Sequence, residues 1–187
     1  DVTIAATTAA GQVDNVCLRS PDSAGLIPAP KCPCSPPPVH NYQVVHRVAG
    51  KNWEWIELLR DENSHMQQRD FHPSQVIRDP EISSAFGSST PSSSDVLLHY
   101  AGDPPPGVAV QPRPVILVHG ATKNGNFWVN PEEYGGEEQA TLPETLRQQG
   151  FRVFAVSFAH SQDDNFVWAQ DLANSVDRVK ELSGSPE

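Results

Sequence analysis

Two apolar runs that belong inside a sheet constrain this chain more than any other feature. Val115 to Val118 is an unbroken stretch of β-branched residues and leucine, and residues 151–158 read FRVFAVSF. Runs without polar alternation read as strands buried on both faces. A helix start lies between them. Thr141 can cap, Pro143 fits the first turn, and Glu144 stands three residues after Thr141 as in a capping box. Gly150 supplies a left-handed stop. After the second run, Asp163 and Asp164 offer an N-cap. Trp168, Leu172, Val176, Val179 and Leu182 then recur at helical spacing as far as Gly184. The two aspartates at one end and Lys180 near the other complement the helix dipole. From residue 113 the order is therefore strand, loop, helix, strand, helix. Such a repeat predicts an α/β architecture, a mostly parallel sheet with helices on both faces. A third parallel strand is expected after the helix that ends near Gly184.

The upstream residues carry weaker patterns. Residues 41–60, NYQVVHRVAGKNWEWIELLR, hold two β-rich runs around a Gly-Lys-Asn turn, which predicts a hairpin. A helix from Trp53 to Arg60 is the alternative. Residues 61–93 are polar, end in SSAFGSSTPSSS, and read as loop or linker. Val96, Leu97 and Leu98 mark a strand, and GDPPPG ends it because proline cannot join a central ladder. Residues 1–40 are rich in Ala, Thr, Ser and Pro without sustained period, so they read as an irregular arm. Three parts result: the arm at 1–40, an edge hairpin with a polar linker at 41–94, and the start of an α/β domain at 95–187.

The three cysteines, Cys17, Cys32 and Cys34, all lie in the arm. Cys-x-Cys with His40 nearby lacks paired zinc-ligand spacing, so no metal is expected. A disulfide from Cys17 to either Cys32 or Cys34 is the simpler reading. It implies an oxidising compartment, secreted or periplasmic, and leaves one cysteine over. No signal peptide is visible and there is no initiator methionine, so a processed or a trimmed product is expected. A net charge of -10 without a basic cluster argues against nucleic acid as a partner. No apolar stretch approaches the roughly 20 residues that cross a bilayer.

Several nucleotide and catalytic motifs are absent. No two glycines stand two apart, which excludes the dinucleotide fingerprint. Gly120 and Gly125 frame a Gly-x-x-x-x-Gly, but Asn126-Phe127 follows where a phosphate loop needs Lys and Ser or Thr. The chain contains no Gly-x-Ser-x-Gly and no His-Glu-x-x-His.

The stretches RPVILVHGATKNGNFW, LPETLRQQGFRVFAVSF and DDNFVWAQDLANSVDRVKELSG, in that order, resemble the α/β-hydrolase fold. Within it they resemble the bacterial lipase and esterase branch, upstream of the nucleophile elbow. The resemblance covers residues 95–187. It implies a serine hydrolase that cleaves carboxylic esters through an acyl-enzyme without a cofactor. The backbone N–H of Ala121 would be one oxyanion-hole donor, with Gly120 shaping the turn and His119 supporting the loop. The chain departs from the His-Gly-Gly-Gly version of the motif: it has His-Gly-Ala-Thr, nearer the simple lipase type. Phe127 and Trp128 would either line the substrate pocket or pack the loop on the sheet. His160, just past the second strand, reads as a loop residue. The resemblance also implies a complementary carboxyl-terminal chain carrying the Gly-x-Ser-x-Gly serine and the acid and histidine of a triad. The alternative is a non-catalytic secreted binding module that docks a partner chain.

Overall fold

A computed structural model describes residues 41–62, 70–130, 141–162 and 164–185. Cys17, Cys32, Cys34, His40 and Asp163 lie outside these residues, so the expectations attached to them are not addressed by it. The described residues form a five-stranded sheet flanked by helices on both faces.

Strands β1 (Tyr42–Val48) and β2 (Trp55–Asp61) make an antiparallel hairpin. Its register shifts between Val44 and His46, a bulge that blunts an edge strand. β3 (Asp95–Tyr100) pairs antiparallel to β2, with Leu97 opposite Leu58. β4 (Val115–Leu117) is followed by helix α2 (Leu142–Gln148) and β5 (Val153–Phe158). β5 enters between β3 and β4, antiparallel to the first and parallel to the second, so the order is β1-β2-β3-β5-β4.

The expected mostly parallel sheet is thus corrected. The sheet is mostly antiparallel, and β4–β5 is its parallel pair. Parallel pairing needs a crossover, and β4–α2–β5 is the one crossover of that kind among the described residues. A second correction concerns β4. It runs along the sheet edge with only Leu117 buried, and Val118 is 41 % exposed. β5, in contrast, is buried along its whole length, as a central strand must be.

Alternation along the strands builds two cores. Ile56, Leu58, Leu97, Val153 and Ala155 face one side, where helix α1 (Pro80–Phe86) adds Ile82, Ala85 and Phe86, and α2 adds Leu146. Helix α3 (Asn165–Ser183) covers the other side, setting Val179, Trp168 and Leu172 against Leu59, Val96, Leu98 and Val156. Trp168 stacks on Phe158 with centroids 5.1 Å apart. A polar strip joins α3 to the hairpin. Buried Glu57 accepts from Arg178 at 2.8 Å and from Arg47 at 3.0 Å, and Asn174 donates to Asp61 at 2.6 Å. The Glu57 and Asp61 carboxylates thereby each have a donor, which their burial requires.

Helix α1 falls where sequence patterning predicts a polar linker. Its ends are locally encoded. The Asp79 carboxylate accepts from the N–H groups of Glu81 and Ile82, Pro80 opens the first turn, and Gly87 closes the helix at φ 73°. α2 and α3 begin as their caps predict, at Thr141 and Asp164, and Gly184 ends α3 at φ 65°.

Candidate functional site

The carboxyl ends of parallel strands are where open α/β sheets bind ligands. Here those ends belong to β4 and β5, and they carry His119 and His160. His119 is 5 % exposed and lies edge-on to Phe158 with centroids 5.2 Å apart. Its Nδ1 is 2.8 Å from the Gly120 carbonyl oxygen, which can only accept. Its Nε2 faces the Phe158 N–H at 3.5 Å, which can only donate. Both contacts fit one species, a neutral imidazole with the proton on Nδ1. Burial pushes its pKa below the ordinary value, against the opposing pull of the Gly120 carbonyl. His119 therefore ties the end of β4 to β5.

The chain then turns. The Gly120 carbonyl accepts from the Lys123 N–H at 3.2 Å, placing Ala121 and Thr122 at the centre of a four-residue turn. Thr122 has φ 67°, and among the described residues it is the one non-glycine with positive φ. A left-handed third residue is the requirement of a type II turn, usually met by glycine or asparagine. A β-branched residue there is strained by about 1–3 kcal/mol. The role expected of Gly120 changes accordingly. Gly120 is not left-handed, and a Cβ on it would meet nothing within 4 Å. The conformational demand falls on Thr122, whose N–H is held by the Ser161 carbonyl at 3.0 Å. Ala121 is exposed, and its N–H donates to no described residue.

The loop next enters a 3-10 turn over Gly125–Trp128. Phe127 and Trp128 pack edge to face with centroids 5.0 Å apart, and the Lys123 ammonium lies 5.6 Å from the Phe127 centroid. Trp128 is half-buried against the core on the α1 side. A cleft of about 220 Å³ lies between residues 74–79 and the loop, with Thr122, Lys123, Asn124, Phe158, Ala159 and Ser161 along its wall. Neither Phe127 nor Trp128 lines it. His160 is buried, stacks on Phe71 with centroids 3.9 Å apart, and sits 3.2 Å from the Ser93 hydroxyl. It is thus a packed residue at the foot of the site.

Sequence reasoning missed a polar cluster beneath the loop. His99 on β3 and Ser157 on β5 are both 0 % exposed, and His99 Nε2 lies 2.8 Å from Ser157 Oγ. The same hydroxyl accepts from the Gly125 N–H at 2.7 Å. Asn126 accepts from the Trp53 indole at 2.9 Å and donates to Asp79 and Glu81 at 2.9 and 3.0 Å. Burial, aided by His119, pushes the His99 pKa down to about 3. Its neutral ring stands 5.1 Å from that of Trp53. No group of three or more His, Cys, Asp and Glu among the described residues is placed to hold a metal ion. No described helix is long and apolar enough to cross a membrane.

Among solved structures, the chain is similar to a candidate lipase from Sulfolobus solfataricus. The identity is 14 %, over 76 % of this chain and 39 % of that one, with a TM-score of 0.39. This chain thus spans about two fifths of that protein's length, and a likeness at this level carries no argument about site or reaction. No protein-family model matches the sequence, and no curated protein does.

Proposed function

We propose that this chain forms the oxyanion side of a serine hydrolase that cleaves carboxylic esters. The observation that supports it most is the Gly120–Lys123 turn. It sets exposed Ala121, whose N–H donates to no described residue, at the carboxyl end of the parallel strand pair and beside Thr122, which is held in a strained conformation. Strain of that kind gathers where geometry is needed for function. Attack of a serine on an ester carbonyl places negative charge on the former carbonyl oxygen. A fixed backbone N–H aimed at that oxygen stabilises it without reorganising. His119 is neutral, buried and committed to two backbone groups, so its part is to hold the turn rather than to move protons.

The serine, the acid and the catalytic histidine are supplied by a complementary carboxyl-terminal segment or chain. The β4 edge, unpaired among the described residues, is where its first strand adds to the sheet. The setting is a secreted or periplasmic one. The reaction needs no cofactor. The experiment is hydrolysis of a short p-nitrophenyl ester by the native assembly, with and without a serine-directed phosphonate. Hydrolysis that the phosphonate abolishes is expected. Its absence rejects the hydrolase reading and favours a docking module without chemistry.

A further inference from the structure

The Ser157–His99 pair invites comparison with a catalytic dyad, since serine and histidine stand at hydrogen-bond distance. Burial excludes that role. Both side chains are 0 % exposed, and the Ser157 hydroxyl is already engaged on two sides. A nucleophile without access to substrate does no chemistry.

What the pair does hold is the loop. From His119 onward, hydrogen bonds among the described residues attach the loop to β5 and its exit, three of which bear on the turn. These are the His119 ring at the Phe158 N–H, the Thr122 N–H at the Ser161 carbonyl, and the Gly125 N–H at the Ser157 hydroxyl. The first two lie on either side of Ala121. The third is the shortest, at 2.7 Å, and the only one of the three made to a side-chain hydroxyl. The fit there is close. A Cβ added to Gly125 would stand 2.7 Å from His99 Nε2 and 3.0 Å from Ser157 Oγ, so only glycine lets the backbone come this near. His99 is held in turn by β3, whose register with β5 places Leu97 opposite Ser157 and His99 opposite Ala155.

We infer that Ser157, oriented by His99, is a positioning residue for the proposed ester hydrolysis, fixing the Gly120–Gly125 loop so that the Ala121 N–H meets the developing oxyanion. This rests on the hydrolase reading. Removing the hydroxyl leaves the Gly125 N–H and His99 Nε2 buried without a partner, and the loop shifts to find one. Misplacement on the scale of an ångström is felt in the chemical step, while ground-state binding is little changed.

The test is Ser157→Ala, with Ser157→Thr as the hydroxyl-retaining control and Gly125→Ala as the same perturbation made from the loop side. Each is measured in the native assembly on a p-nitrophenyl ester. Amide hydrogen exchange of residues 121–127 is followed in parallel. In Ser157→Ala, kcat is expected to fall by about 10- to 100-fold, with KM within about twofold. Ser157→Thr recovers most of the loss. Gly125→Ala lowers kcat in the same way, and exchange at Gly125 quickens in Ser157→Ala. An active Ser157→Ala protein with unchanged kcat overturns this inference and leaves the hydrolase reading standing. A fall that Ser157→Thr does not recover, with exchange at Gly125 unchanged, also overturns it. A wild-type assembly without phosphonate-sensitive hydrolysis overturns both.

Discussion

Acid should destabilise this protein through His99, and the size of the effect follows from its burial. The imidazole is 0 % exposed, and its pKa is pushed from 6.5 to about 3. The folded state therefore binds fewer protons than the unfolded chain between those values. The His99 contribution is intact above pH 6.5, declines as pH falls, and is fully lost below about pH 3. At pH 4.5, two units below the ordinary value, the loss is about 3 kcal/mol, since each unit is worth about 1.4 kcal/mol. That is a large share of the 5–15 kcal/mol that typically holds a domain together. His119 adds to it in the same direction, because burial also lowers its pKa. The perturbation is His99→Gln, which keeps an amide near the Ser157 hydroxyl but does not titrate. Urea unfolding at a series of pH values, followed by tryptophan fluorescence, gives the stability of each protein. Trp53, 5.1 Å from His99, is a local reporter. All other ionisable side chains are common to both proteins, so the comparison isolates position 99. Between pH 8 and pH 4.5 the variant should lose about 3 kcal/mol less than the wild type. Equal losses would refute the reasoning, because they would mean that His99 takes up its proton without unfolding.

Two further substitutions probe the site's supports. Asp79→Ala removes the cap of α1 and one of the two carboxylates that hold Asn126; it should cost about 1–2 kcal/mol in urea unfolding. Thr122→Gly relieves the left-handed threonine and should raise stability by up to about 1 kcal/mol while lowering kcat, because a looser turn aims the Ala121 N–H less well.

The parts of the fold that were legible in the sequence are those encoded locally. FRVFAVSF has no polar alternation and became the buried central strand β5. Thr141, Asp164 and Gly184 mark helix ends by hydrogen-bonding and backbone preferences that act within a turn. The Gly-Lys-Asn turn between two β-rich runs gave the β1–β2 hairpin. Helix α1 escaped, although Asp79-Pro80 and Gly87 bracket it, because its polar surroundings, ending in SSAFGSSTPSSS, read as linker. The sense of the sheet was not legible either. Which strand β5 joins is decided by the long-range packing of Leu98 against Val156 and its neighbours, not by either strand alone. The candidate site divides in the same way. His119 was visible as the tip of an apolar run. His99, in DVLLHY, and Ser157, in VFAVSF, look like ordinary strand residues, and only the β3–β5 pairing brings them together beneath Gly125. The demand for a left-handed residue at Thr122 was hidden because the sequence places a glycine two positions earlier.

The oxyanion assignment is tested most directly by Ala121→Pro. Ala121 is the second residue of its turn, the position where proline fits type I and type II turns. The substitution therefore removes the N–H while keeping the backbone path. In the native assembly, kcat on a p-nitrophenyl ester should fall by about 10²–10³, the usual loss for one oxyanion donor, with urea stability within about 1 kcal/mol of wild type. A folded Ala121→Pro protein with wild-type kcat would contradict the account, because the N–H at its centre would then do nothing in the reaction.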